Sequence, residues 1–115
     1  MSQVVLYHNP RCSKSRAALA LLRERGVEPS VVEYLERPLG VSELENLARK
    51  LGRPVGEWVR TGEGVYREAG LSAASSPAEL LAAMAEHPIL MERPIVVRGE
   101  RAAVGRPPEN VLAIL

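Results

Sequence analysis

Nine residues near the start of the chain, HNPRCSKSR from His8 to Arg16, hold its only cysteine together with an imidazole and three cationic side chains. The apolar run VVLY (Val4–Tyr7) precedes them, and from Ser13 onward Ala17, Leu21 and Leu22 recur near helical spacing. Cys12 therefore falls where a strand runs into a helix. The N–H groups of a first helical turn have no intrahelical acceptors, and the macrodipole places partial positive charge there. A thiolate at that point is stabilised, and the same donors hold an anionic ligand. Arg11, Lys14 and Arg16 add positive charge, and His8 adds more when protonated. A lone cysteine can also be a small buried hydrophobe. The surrounding bases and the strand-to-helix position favour a reactive thiol here.

The missing partner is informative. A dithiol oxidoreductase needs Cys-x-x-Cys, and the second position here is Ser15, which reads as a first-turn or helix-surface residue. An oxidised Cys12 then needs its resolving thiol from another molecule, and glutathione and a glutaredoxin-type protein are the natural candidates.

The elements that must position this loop follow from periodicity and punctuation. VVLY reads as a first strand, the segment from Ser13 to Gly26 as a helix with Gly26 at its C-terminal cap, and VVEYL (Val31–Leu35) as a second strand. SELENLARKLG reads as a helix with a capping box from Ser42 to Glu45 and Gly52 at its end. VGEWVR reads as a short helical turn to Arg60, and GVYREAG as another to Gly70. Ser76 as N-cap, Pro77 at N1 and Glu79 at N3 start a further helix that Pro88 stops. RPIVV and RAAVG form a hairpin around Gly99-Glu100, and PPENVLAIL closes the chain as a short helix. The expected class is α/β, a thioredoxin-like β-α-β…β-β-α sheet with a helical insertion in the middle. One domain, 1–115, is expected, with the insertion at about 42–88.

Composition narrows the function classes. At 46% hydrophobic residues the chain buries a real core, mainly of Leu, Val, Ile and Ala because Phe is absent. The net charge of +1 argues against general nucleic-acid binding. The 13 Arg against 2 Lys fit a GC-rich genome, so only particular arginines call for another reason. No signal peptide and no membrane-spanning run are visible, and a free thiol survives best in a reducing compartment, so a cytoplasmic protein is expected. Two histidines and one cysteine, widely spaced, offer no metal site. His87, before Pro88, reads as a helix-end residue, and Arg23, Arg25, Arg37, Arg49 and Arg53 read as surface residues.

Three stretches, YHNPRCSKSR, RPIVV and GRPPENVLAIL, occur in an order and at gaps that resemble the glutaredoxin-linked arsenate reductase family of thioredoxin-like fold. The resemblance covers essentially the whole chain. It implies that Cys12 is the nucleophile toward arsenate and that His8 helps keep the thiol ionised. It implies that Arg60 in WVRTG, Arg93 in MERPIVV and Arg106 in VGRPPE surround the oxyanion, and that Pro94 is the proline, commonly cis, that faces the cysteine. Read singly, each of these arginines is also compatible with a solvated surface position. The implied partners are arsenate or a similar oxyanion, glutathione as co-substrate and a glutaredoxin, with no bound cofactor and a monomer as the default. Arg11, Ser13 and Lys14 make the cysteine loop bulkier and more basic than the small, uncharged residues usual in the family, which bears on which anion fits. The rival functions are thiol-disulfide exchange on glutathione mixed disulfides and a redox-linked regulatory protein that binds RNA polymerase. Ser15 counts against the second, because it removes the Cys-x-x-Cys switch.

Overall fold

Alternating burial opens the chain. In strand β1 (Val4–His8), Val4, Leu6 and His8 are buried and the residues between them are partly exposed. The computed structural model describes residues 3–115. Residue contacts divide the chain into two units, one built from the segments up to Arg37 and from Arg93 to Leu115, the other from Pro38 to Glu92.

The first unit holds the sheet. Helix α1 (Ser13–Glu24) follows β1 and returns the chain to strand β2 (Ser30–Glu33). Gly26, at a φ of 76°, ends α1: its N–H donates to the Arg23 carbonyl at 3.0 Å, and the Val27 N–H donates to Leu22 at 2.9 Å. This pair of bonds satisfies carbonyls that the helix end would otherwise orphan, and Val27 packs onto the core beside it. Strands β3 (Ile95–Arg98) and β4 (Arg101–Val104) complete a sheet of order β2-β1-β3-β4. β1 runs parallel to β2, with His8 opposite Glu33, and antiparallel to β3, with Tyr7 opposite Ile95. β3 and β4 form the expected hairpin, with Ile95 opposite Val104 and Arg98 opposite Arg101 across the Gly99-Glu100 turn. Leu6, Val96, Ala18, Leu22 and Val111 are wholly buried against one another, so α1 and the terminal segment cover the sheet together. The fold is α/β and thioredoxin-like, as expected.

The second unit is helical. In α2 (Val41–Leu51) the buried residues are Leu44, Leu47 and Leu51, one stripe at helical spacing, and α2 packs on α4 (Pro77–Glu86) through Leu80, Leu81, Ala83 and Met84. A short helix α3 (Gly64–Glu68) lies between them in sequence. The start of α4 is as expected: Ser76 Oγ accepts the Glu79 N–H at 3.1 Å, and the Glu79 carboxylate accepts the Ser76 N–H at 2.9 Å.

Several boundaries depart from the sequence reading. α2 begins at Val41 rather than after Ser42, because the Glu43 carboxylate reaches back to the Gly40 N–H at 3.1 Å and caps the helix two residues earlier. β2 ends at Glu33, where its partner β1 also ends, and the Glu36 and Arg37 N–H groups turn back to the Glu33 carbonyl. The VGEWVR turn is helical only over Val55–Glu57. Beyond it the chain is extended: Val59 bridges to Met91, the Arg60 N–H donates to Leu90 at 2.7 Å, and the Glu92 N–H donates to Trp58 at 2.9 Å. The closing helix is a 3-10 helix over Pro108–Ile114.

Candidate functional site

Cys12 is the N-cap of α1. Its backbone is extended, at φ −94° and ψ 123°, and its carbonyl already accepts the first helical bond from the Arg16 N–H at 3.0 Å. The loop before it is tied down by Asn9. The Asn9 carbonyl accepts the Cys12 N–H at 3.0 Å, and its side-chain oxygen accepts the Arg11 N–H at 3.0 Å. Arg16 closes the loop from the other side, donating from Nη1 to the Pro10 carbonyl at 2.8 Å.

The thiol is partly exposed. Burial by itself pushes its pKa up, but the backbone N–H groups of Ser15 and Lys14 and the side chain and charge of Arg93 favour the ionised sulfur. The net effect lowers the pKa below the ordinary 9.0 and favours the thiolate. Arg106 reaches the same atom, with Nη2 3.8 Å from Sγ, while its Nε donates to the Arg93 carbonyl at 2.7 Å. The guanidinium of Arg93 loses solvation on burial, yet Cys12 and Tyr34 hold it charged and shift its pKa upward. Tyr34 is wholly buried just past β2, and sequence reasoning passed over it.

The structure thus brings Cys12, Arg93 and Arg106 to one place. The Arg93–Pro94 bond is cis, as the family pattern implies, and the Arg106–Pro107 bond is cis as well. The Gly105 N–H donates to the Pro94 carbonyl at 2.8 Å, so the β3–β4 ladder continues one step toward the arginines. Arg11, Ser13 and Lys14 project into solvent around the loop.

Arg60 belongs to the second unit. Its Nε and Nη2 donate to Glu63 Oε2 at 3.3 and 3.2 Å, and its Nη1 donates to Glu92 Oε1 at 3.2 Å. Two carboxylates therefore occupy the guanidinium, which the sequence did not suggest.

Burial changes how two residues of the loop read. His8 is harder to protonate than a free imidazole: it is buried, and desolvation pulls its pKa below 6.5, with Glu33 opposing and Arg16 and Arg23 reinforcing. Ser15 lies in the first turn of α1, one of the two positions expected of it, and faces inward rather than onto the helix surface. It is fully buried, its Oγ 2.6 Å from His8 Nδ1 and accepting the Asn9 N–H at 3.1 Å. Among the described residues, no group of three acidic, His or Cys side chains is placed to hold a metal ion, and no helix is long and apolar enough to cross a membrane.

Residues 7–114 match the model of the ArsC family. The chain belongs to the ArsC family. Within it, this chain is 47% identical to the arsenate reductase of Haemophilus influenzae, with 97% of this chain and 98% of that protein covered. It is 51% identical to the protein YfgD of Escherichia coli K12, covering 98% and 97%. Its fold superposes on the structure of an arsenate reductase from Vibrio cholerae with a TM-score of 0.94, at 51% identity and with 99% and 98% of the two chains covered. Cys12, Arg93 and Arg106 all lie inside the stretch matched to the ArsC family.

Proposed function

We propose that this chain is an arsenate reductase that draws its electrons from glutathione and a glutaredoxin. The observation that carries the reading is the convergence of two guanidinium groups, Arg93 and Arg106, on a thiol whose pKa is already lowered. A planar guanidinium donates parallel hydrogen bonds to a tetrahedral oxyanion, and cations that favour the thiolate also offset the charge of the incoming anion. The near full-length likeness to arsenate reductases supports the choice of arsenate among such anions. Arg60 is kept as a third arginine of the substrate set on the family pattern alone.

Cys12 Sγ attacks arsenic, an S–As bond forms, and one arsenate oxygen leaves as water after taking up protons from solvent. A glutathione thiolate then attacks Cys12 Sγ. The electron pair of the S–As bond passes to arsenic, As(V) becomes As(III), and arsenite departs, leaving a Cys12–glutathione disulfide. A glutaredoxin thiol attacks the glutathione sulfur and frees Cys12. Each turnover consumes two thiols and returns the enzyme without a resident cofactor. The protein acts as a monomer in the reducing cytoplasm.

The test couples NADPH oxidation to glutathione, glutathione reductase, glutaredoxin and arsenate, with arsenite quantified in the same tubes. Arsenate-dependent turnover is expected in the native protein and absent in Cys12→Ser. Turnover of glutathione mixed disulfides without any response to arsenate would instead favour general thiol exchange.

A further inference from the structure

The buried polar groups of the loop, His8, Asn9 and Ser15, form one cluster, and Ser15 is its hub. The Ser15 hydroxyl accepts the Asn9 N–H at 3.1 Å and lies 2.6 Å from His8 Nδ1. Burial favours the neutral form of His8, in which one ring nitrogen is an acceptor. With an N–H already directed at its oxygen, the hydroxyl has a proton to place, and Nδ1 is the acceptor beside it. That arrangement leaves the imidazole proton on Nε2.

Ser15 bears on Cys12 twice over. Its own backbone N–H lies in the first turn of α1, which Cys12 caps, and favours the ionised sulfur. Its side chain grips Asn9, whose carbonyl in turn accepts the Cys12 N–H at 3.0 Å. One hydroxyl thereby pins the end of β1 and the loop after it to the first turn of α1, the turn that Cys12 caps.

We propose that Ser15 is a positioning residue for the Cys12 thiolate: its hydroxyl, held between His8 Nδ1 and the Asn9 N–H, fixes the first turn of α1 and the loop before it in the geometry that presents Sγ. The position that carries a second thiol in dithiol enzymes carries here the fixture for the first. His8 serves the cysteine through Ser15 as a neutral acceptor and not as a nearby cation. The inference rests on the reading of Cys12 as the reacting thiolate and extends it to a group that never touches substrate. The charged groups that face Sγ are Arg93 and Arg106, and those that act on His8 are Glu33, Arg16 and Arg23. Removing the Ser15 hydroxyl leaves every one of them in the chain.

Because Cys12 is the only cysteine, alkylation by iodoacetamide reports on it alone. The rate is followed against pH, without arsenate, for the native protein, Ser15→Ala and Ser15→Thr, alongside the thermal midpoint of each. The Ser15→Ala curve is expected to move to higher pH, with a several-fold lower rate at pH 7 and an unchanged plateau. Ser15→Thr, which keeps the hydroxyl, is expected to stay near the native curve. A Ser15→Ala protein that melts earlier yet alkylates along the native curve overturns the proposal, as does an equal shift in both variants. If Ser15→Ala does not fold, imidazole ¹⁵N spectra of the native protein decide. A neutral Nε2–H tautomer of His8 is expected, and an Nδ1–H tautomer or a cation at pH 7 overturns it. A native protein that alkylates as expected but leaves arsenate unreduced would defeat the arsenate reading and leave the role of Ser15 standing.

Discussion

Gly105 and Pro94 meet so closely that a Cβ built on the glycine would lie 2.7 Å from Pro94 Cγ and 3.0 Å from Val111 Cγ1. Both neighbours are buried, and Pro94 is also held by the Gly105 N–H at 2.8 Å. Gly105→Ala must therefore displace the segment that carries Arg93 and Arg106. Overpacking of this kind costs about 1–3 kcal/mol. Denaturant melts are expected to show that loss, and arsenate turnover measured well below the melting range is expected to fall with it. An alanine variant with native stability would mean that Pro94 yields freely.

The two arginines at the sulfur have different duties. Arg93 favours the thiolate through both its side chain and its charge, whereas Arg106 lies 3.8 Å from the sulfur and donates to the Arg93 carbonyl at 2.7 Å. Arg93→Gln is expected to raise the thiol pKa more than Arg106→Gln, read from the pH dependence of alkylation. A larger shift from Arg106→Gln would reverse the assignment.

Ionisation of Cys12 also links stability to pH. The folded thiol has the lower pKa, so the unfolded chain binds the extra proton and stability rises with pH between the two values. Compared with Cys12→Ser, the native protein is expected to gain stability as pH climbs through the folded thiol's pKa. The gain is complete above the ordinary value of 9.0 and is lost as pH falls back through the folded value. Paired urea melts across pH 5 to 9.5 on the two proteins measure it, and parallel curves would deny it.

The wholly buried Tyr34 favours the charged guanidinium of Arg93. Tyr34→Phe keeps the buried ring and removes the hydroxyl. The KM for arsenate is expected to rise several-fold with a smaller change in kcat, because Arg93 is left less firmly aimed. Steady-state kinetics separate the two constants, and an unchanged KM would remove Tyr34 from the site.

Ser76→Ala tests the second unit by itself. It deletes the acceptor of the Glu79 N–H at the start of α4, and losing such a cap costs about 1 kcal/mol. Chemical denaturation is expected to show a loss of that size with arsenate turnover per folded molecule unchanged.

Much of this architecture was legible because it is written in local signals. VVLY is a short β-branched and aromatic run, Gly26 and Ser76-Pro77 punctuate helices, and Gly99-Glu100 sits between two runs of strand-forming residues. The place of Cys12 at a helix start was legible too, and it is the N-cap of α1. What escaped sequence reasoning depends on contacts between distant residues. The lowered pKa of His8 comes from burial under the fold, which a basic neighbourhood in sequence conceals. Ser15 looked exposed because a first-turn serine usually is, and only the packing of α1 against β1 turns it inward. Arg60 gave no sign of Glu92, which lies 32 residues along the chain and faces it through the Val59–Met91 bridge. Gly40 was passed over as a helix start because a glycine has no side chain to advertise a cap, and Glu43 alone carried the signal.

The hairpin that carries two of the arginines acts as a gauge. Arg93 stands two residues before β3 and Arg106 two residues after β4, so they face each other across the open end of a ladder whose closed end is Gly99-Glu100. The distance between the two cations is thus metered from the far edge of the sheet. One residue inserted at the turn would set β4 back by a step, reverse which of its side chains face the core, and present Gly105 where Arg106 now stands. The length of a surface turn remote from the sulfur is in this sense part of the anion-binding specification.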